Sequence, residues 1–331
     1  MRRIYITDCE GSVAKNDIAC QIAAAFLPEG RKLMSRLNEF DAYLGAIERT
    51  SGHIYGSALR YILPFLKAAG VTDGVVRNFC KQQTRLVEGA EEALTSIRET
   101  MDVYVVSTSY PHFVEEVAEQ IALEVSNLFC TRVSLDEYAM GEREQKVFLG
   151  LTNAFLQLPP ISWNETGVLS AGALFSLDSL KAFLLERLPT LPVNGWIKKI
   201  DPMGGIRKAE AIIEIINRNN ASMEDVMYIG NAITDADALF LVKKHGGVSI
   251  SFNGNRYAAF NAEYMVVSRD AEILKELAQT FHRSGKRGII EGTVGKGAFV
   301  GRHANCDVNN VIALSEQMKM EIHGELTGNF E

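Results

Sequence analysis

Six short apolar runs, separated by stretches of helical periodicity, limit what this sequence can fold into. They lie at 4–7, 103–107, 128–133, 226–229, 248–252 and 265–267. Each is rich in β-branched or aromatic residues and is bounded by polar residues or Gly. Several are apolar at consecutive positions, as in VYVV at 103–106. Such a strand needs cover on both faces, which a parallel sheet between two helical layers provides. The stretches 91–100, 113–122, 208–219 and 271–281 have helical periodicity and fall between the runs. The alternation predicts an α/β fold: a Rossmann-like, doubly wound, mainly parallel sheet.

Two long segments break the alternation. Residues 15–84 read as helical throughout, with DIACQIAAAFL, RKLMSRLNEFDAYLGAI and SALRYILPFLKAAG. They are expected to form a helical cap domain inserted after the first strand. Residues 136–199, a Pro-containing stretch with LPPISW and LPTLP, are expected to be a second insertion of loops and short helices over the core. The core is then 1–14, 85–135 and 200–281. A tail at 282–331 holds a Gly-rich turn region and one amphipathic helix, VNNVIALSEQMKMEI. Its EGTVGKGAFVG lacks the Lys-Ser/Thr pair that ends a Walker loop, so a surface turn is expected there.

Composition excludes several functions. The net charge of −7 argues against nucleic acid as a partner. No apolar run approaches the roughly 18 residues that span a membrane. The opening MRRIYITD breaks its short apolar stretch with an acid, unlike a secretion signal, so a cytoplasmic setting is expected. The five Cys show no metal-like spacing and are expected to be reduced thiols, mostly in the core.

Chemistry concentrates at the ends of the runs. Open parallel sheets bind ligands beyond the carboxyl ends of their strands. The first run ends TDCEG, which sets Asp8 at a strand end and Glu10 just past it. One carboxylate there can be a nucleophile or metal ligand, and the second a general acid/base. Alone, such a pair is ordinarily a strand end with a cap. It is not alone, because the second run ends STS, placing Ser107, Thr108 and Ser109 at the matching edge. Hydroxyls and free N–H groups at a helix start can hold phosphate. GGIRKAEAI then puts Lys208 in the first turn of a helix, and YIGNAITDAD supplies Asn231, Asp235 and Asp237 at a third strand end. Arg49 and Arg60, in the helical segment, are solvated charges by default and otherwise candidates to grip an anionic substrate. His53 and His112 read as surface or capping residues.

DCEG, VVSTS, Lys208 and GNAITDAD, in that order, resemble the four motifs of the haloacid dehalogenase superfamily, most of whose members are phosphatases. The nearest likeness is to the phosphoserine-phosphatase branch and to archaeal proteins with a DxEG first motif. It covers most of 1–130 and 200–280. The resemblance implies that Asp8 attacks phosphorus to form an aspartyl-phosphate, while Glu10 protonates the leaving oxygen and later activates water. Ser107, Thr108 and Lys208 would bind phosphate oxygens. Mg²⁺ would be held by Asp8, the backbone carbonyl of Glu10, Asn231 and Asp235. Asp17 falls where that branch has a cap Glu, and Ile62 where it has a cap Arg. Asn231 stands where the family usually has Asp, which implies weaker metal binding.

A Mg²⁺-dependent phosphatase or phosphotransferase on a small phosphorylated metabolite is therefore expected. The alternative is a weakly active or inactive member that serves as a binding or regulatory subunit with a protein partner. Self-association is compatible with either.

Overall fold

The computed structural model describes residues 2–164, 166–289, 291–294 and 297–323. Its centre is a sheet with the strand order β3-β2-β1-β4-β5-β6-β8-β7. The strands are β1 (Arg3–Thr7), β2 (Met101–Ser107), β3 (Leu128–Cys130), β4 (Val226–Gly230), β5 (Val248–Phe252), β6 (Tyr264–Val267), β7 (Gly292–Val294) and β8 (Ala298–Arg302). The first six pair in parallel. Strand β8 pairs antiparallel with β6, and β7 with β8.

The consecutive apolar residues of β1 explain its central place. Ile4 and Ile6 face one core cluster and Tyr5 the other, and all three are buried. Among the helices that follow β1, α1 (Ile18–Phe26), α2 (Gly30–Ala46), α3 (Ser57–Ala68) and α4 (Asp73–Gln83) precede α5 (Ala90–Thr100). The chains entering and leaving this helical segment run side by side: Lys15 N–H donates to Arg85 C=O at 2.7 Å, and Val87 N–H to Val13 C=O at 2.8 Å. Next come α6 (Pro111–Gln120), α7 (Glu142–Leu156), α8 (Ala171–Lys181) and α9 (Asn194–Ile197). The last group is α10 (Ile206–Arg218), α11 (Ala236–Lys244), α12 (Arg256–Asn261), α13 (Glu272–Ser284) and α14 (Val308–His323). Helices α5 and α13 pack together, as do α10 and α11. No helix of the described residues is long and apolar enough to cross a membrane.

Three expectations are corrected. The run at 128–133 is a strand only to Cys130. Thr131 leaves the ladder because its N–H donates to Ser109 C=O and its hydroxyl to Thr108 C=O. Segment 136–199 is more helical than expected and packs in large part on the first helical segment. Helix α7 lies against α2 and α3, with Phe148 and Phe65 edge to face at 5.3 Å and Phe155 and Phe183 beside them. Arg36 of α2 donates to Leu158 C=O, and Glu39 accepts from Ile161 N–H. The surface turn expected at 291–301 is confined to its middle, where Gly297 is an exposed turn residue; the flanking residues form β7 and β8, which extend the sheet. Lys296 of that stretch, and 324–331 of the tail, lie outside the described residues. Three Cys are buried, two are half-buried, and all five are free thiols.

Phe148 is fully buried at the junction of the two helical segments. Phe148→Ala is expected to cost about 3–5 kcal/mol of stability, read from denaturant unfolding. A loss below about 1 kcal/mol would show that the segments do not share a core.

Candidate active site

Strand register sets the site. Asp8 follows β1, Ser107 ends β2 and Asn231 follows β4, so all three stand at one edge of the sheet. Asp8 continues the β1–β4 pairing by donating its N–H to Ile229 C=O at 2.9 Å. Lys208 reaches the same edge from the first turn of α10. Its Nζ lies 3.0 Å from Asp8 Oδ2 and 2.7 Å from Asp235 Oδ1, and none of the three is more than 5 % exposed. Asp8 Oδ1 accepts from Cys9 N–H at 2.7 Å.

Burial and charge separate the two carboxyls of the first motif. Burial pushes Asp8 up to about 6, although the Lys208 ammonium pulls the other way. Glu10 is pushed further, to about 8, by burial and then by neighbouring Asp17. Ser109 Oγ donates to Glu10 Oε1 at 2.6 Å, and Ile18 N–H donates to the same oxygen at 3.1 Å. Burial also raises Asp17, whose Oδ1 caps α1 by accepting from Cys20 N–H. Lys208 is raised as well: burial pulls it down, and Asp235 and Asp8 more than reverse this.

The structure thus brings Asp8, Glu10, Asp17, Ser107, Lys208, Asn231 and Asp235 to one place. It does so less for the remaining candidates. The Thr108 hydroxyl is committed to Met203 C=O at 2.9 Å, so its side chain ties the loop before α10 to the end of β2. Arg60 turns along its own helix, with Nη2 3.4 Å from Ser57 Oγ and its guanidinium over Tyr61. Arg49 is exposed, with a left-handed backbone at φ 53°. The histidines are structural: His53 meets Asp41 at 3.1 Å and His112 meets Asp73 at 2.9 Å. The first helical segment does touch the site's rim. A Cβ at Gly204 would lie 2.0 Å from Tyr55 C=O, so only Gly admits that contact.

No family model matches the sequence, and no curated protein matches it. Solved structures do. A gene product of Archaeoglobus fulgidus, AF1437, aligns with a TM-score of 0.86 at 23 % identity over 98 % of both chains. A substrate-bound phosphoserine phosphatase aligns with a TM-score of 0.51 at 16 % identity, over 83 % of this chain and 98 % of that one. The chain shares its α/β fold with these two structures. Identities this low carry the fold alone.

That fold raises the question of a divalent cation. Asp8, the Glu10 carbonyl and the Asn231 amide converge, with Asn231 Nδ2 donating to Glu10 C=O at 2.6 Å. The approach is tight, since a Cβ at Gly11 (φ 78°) would lie 1.9 Å from Asn231 Nδ2. This set of one carboxylate and two neutral amide oxygens is hard enough for Mg²⁺, which keeps several of its waters. The fit is poor in charge. Asp235, expected among the ligands, is excluded: Oδ1 holds Lys208 and Tyr228, and Oδ2 accepts from the N–H groups of Asn231 and Ala232. Its place is behind the site, fixing Lys208 and the loop after β4.

Tyr228 was not among the expected site residues, and Ser109, expected at this edge as a phosphate-holding hydroxyl, is instead a partner of Glu10. Ser109 sits two positions past Ser107, as a phosphate loop and a carboxyl partner both allow. Tyr228 reads simply as a buried strand residue. Asn231→Asp is expected to tighten Mn²⁺ binding at least about tenfold by restoring a charged oxygen, measured by Mn²⁺ paramagnetic resonance. Unchanged affinity would remove Asn231 from the ligand set.

Proposed function

We propose that the protein is a Mg²⁺-dependent phosphomonoester hydrolase or phosphotransferase that works through Asp8 on a small phosphorylated metabolite. The supporting observation is the pairing of two unlike carboxyls at one sheet edge. Asp8 is anchored to a buried ammonium, and Glu10 holds its proton to about pH 8. Environments that push two acids apart assign one as nucleophile and the other as acid.

The Asp8 carboxylate, oriented by Cys9 N–H and Lys208, attacks phosphorus. As the bond to the leaving oxygen breaks, Glu10 gives that oxygen its proton. Glu10, now ionised, takes a proton from water as the water oxygen attacks phosphorus, and the Asp8–phosphorus bond breaks. Lys208 and the Ser107 hydroxyl stabilise charge on the transferring group. Asp8, the Glu10 carbonyl and Asn231 would hold Mg²⁺, which when bound would supply further neutralisation of phosphoryl oxygens. Segment 15–84, joined to the core by its paired entering and leaving chains, serves as the lid that excludes water.

One observation favours the alternative of a weakly active binding or regulatory subunit: the Asn231 amide closes on the carbonyl that a cation would use. Loss of aryl phosphate hydrolysis in Asp8→Asn supports the enzyme, whereas no Asp8-dependent turnover in the wild type supports the subunit.

The two carboxyls fix the pH response. Attack needs Asp8 ionised, so kcat/KM falls below about pH 6 as Asp8 gains a proton. Leaving-group protonation needs Glu10 protonated, so kcat/KM falls above about pH 8 as Glu10 loses one. Glu10→Gln is expected to remove the upper limb. A rate that continues to climb above about pH 9 would contradict the assignment of Glu10.

A further inference from the structure

A second hollow lies one strand beyond the candidate active site. Strand β3 ends the sheet on that side and pairs with β2, with Cys130 opposite Ser107. Past Cys130 the chain departs toward segment 136–199, and it returns through α9 and Ile200 to the start of α10. These two legs, with β3 and α6, line a cleft of about 550 Å³. Leu128, Val133, Trp196 and Ile200 give it apolar walls. Its lining shares no residue with the candidate active site.

The walls are fixed by hydrogen bonds outside the cleft. Trp196 Nε1 donates to Ser134 C=O at 3.2 Å, which ties the returning leg to the departing one. The indole also stacks on Tyr138, with ring centres 5.5 Å apart. On the departing leg, the Ser134 hydroxyl and Leu135 N–H both donate to Asp73 at the start of α4. The cleft is therefore pre-formed and has the size of a small-molecule site.

Charge decides what can occupy it. The charged side chains in the lining are Glu115, Arg132, Glu137 and Lys199. Glu115 is already held by Arg77, which lies outside the lining, at 3.2 Å. Among the described residues, neither Arg132 nor Lys199 has an ion-pair partner within 4 Å. The two cations stand on opposite legs, and Glu137 is the one acid left to offset them. The balance is positive, beside apolar walls.

We propose that this cleft is a second binding site, for a small organic anion with an apolar body, of the medium-chain carboxylate class. The carboxylate accepts from the Arg132 guanidinium and the Lys199 ammonium. The hydrocarbon body lies along Leu128, Val133, Trp196 and Ile200. The site stands apart from the phosphomonoester reading, since no step of that reaction uses it.

Trp163→Phe in the full chain leaves Trp196 as the single indole. Its fluorescence is titrated with octanoate, octan-1-ol and acetate, and calorimetry on the unsubstituted chain repeats the comparison. Octanoate is expected to change the Trp196 emission saturably and to bind about tenfold tighter than either control, because octanol lacks the charge and acetate the body. Arg132→Ser with Lys199→Ser, at two exposed positions, is expected to lower octanoate to the octanol affinity, with circular dichroism reporting the fold. No binding of octanoate would overturn the site, as would equal affinity for octanoate and octanol. Octanoate affinity unchanged by the double substitution would overturn it too. Calorimetric binding that leaves the Trp196 emission unmoved would place the anion elsewhere, with the same consequence.

Discussion

A fully buried ammonium between two carboxylates is the constraint on which the rest of the structure depends. Lys208 is shielded from solvent and lies 3.0 Å from Asp8 and 2.7 Å from Asp235. Taking three charges out of water costs several kcal/mol per ion, and only close pairing offsets it. The triad therefore fixes three elements at once: the end of β1, the loop after β4 and the first turn of α10. Tyr228 and the N–H groups of Asn231 and Ala232 complete the shell of Asp235. The same shell leaves Asp235 no oxygen for a cation, so that a cation bound here would have to rely on Asp8, the Glu10 carbonyl and Asn231.

The low dielectric that makes the triad expensive also makes it useful. Asp8 is raised by burial but remains ionised near neutral pH beside Lys208. Glu10, two residues on, has Asp17 rather than a lysine as its strongest charged neighbour, and keeps its proton. Two adjacent acids thus differ because the fold surrounds them with different charges. Ser109 orients Glu10 by a hydrogen bond to one oxygen.

Much of this was legible in the sequence because it depends on strand ends. Consecutive apolar residues in β1, β2 and β4 imply burial on both faces, and that sets a parallel sheet with its polar residues at one edge. Asp8, Glu10, Ser107 and Asn231 follow from that rule, and Lys208 from its place in the first turn of a helix. What escaped depends on side-chain direction or on pairing between distant segments. Thr108 and Asp235 have the expected residue types in the expected places, yet their oxygens are bound elsewhere. Strand β8 contains Gly301 and follows a Gly-rich turn, so its local signal is weak and pairing with β6 overrides it. Helix α7 was hidden in a segment read as loops because of the prolines that follow it, although Phe148, Thr152, Phe155 and Leu156 form a buried face on it.

The most direct measurement is chemical trapping of the intermediate. The protein is mixed with an aryl phosphate and Mg²⁺, quenched, and reduced with borohydride, which converts an aspartyl-phosphate to homoserine; peptide mass spectrometry then locates the change. Homoserine at position 8, absent without substrate, is the expected result. Robust phosphate release with no modification at Asp8, or with modification at another residue, would contradict it.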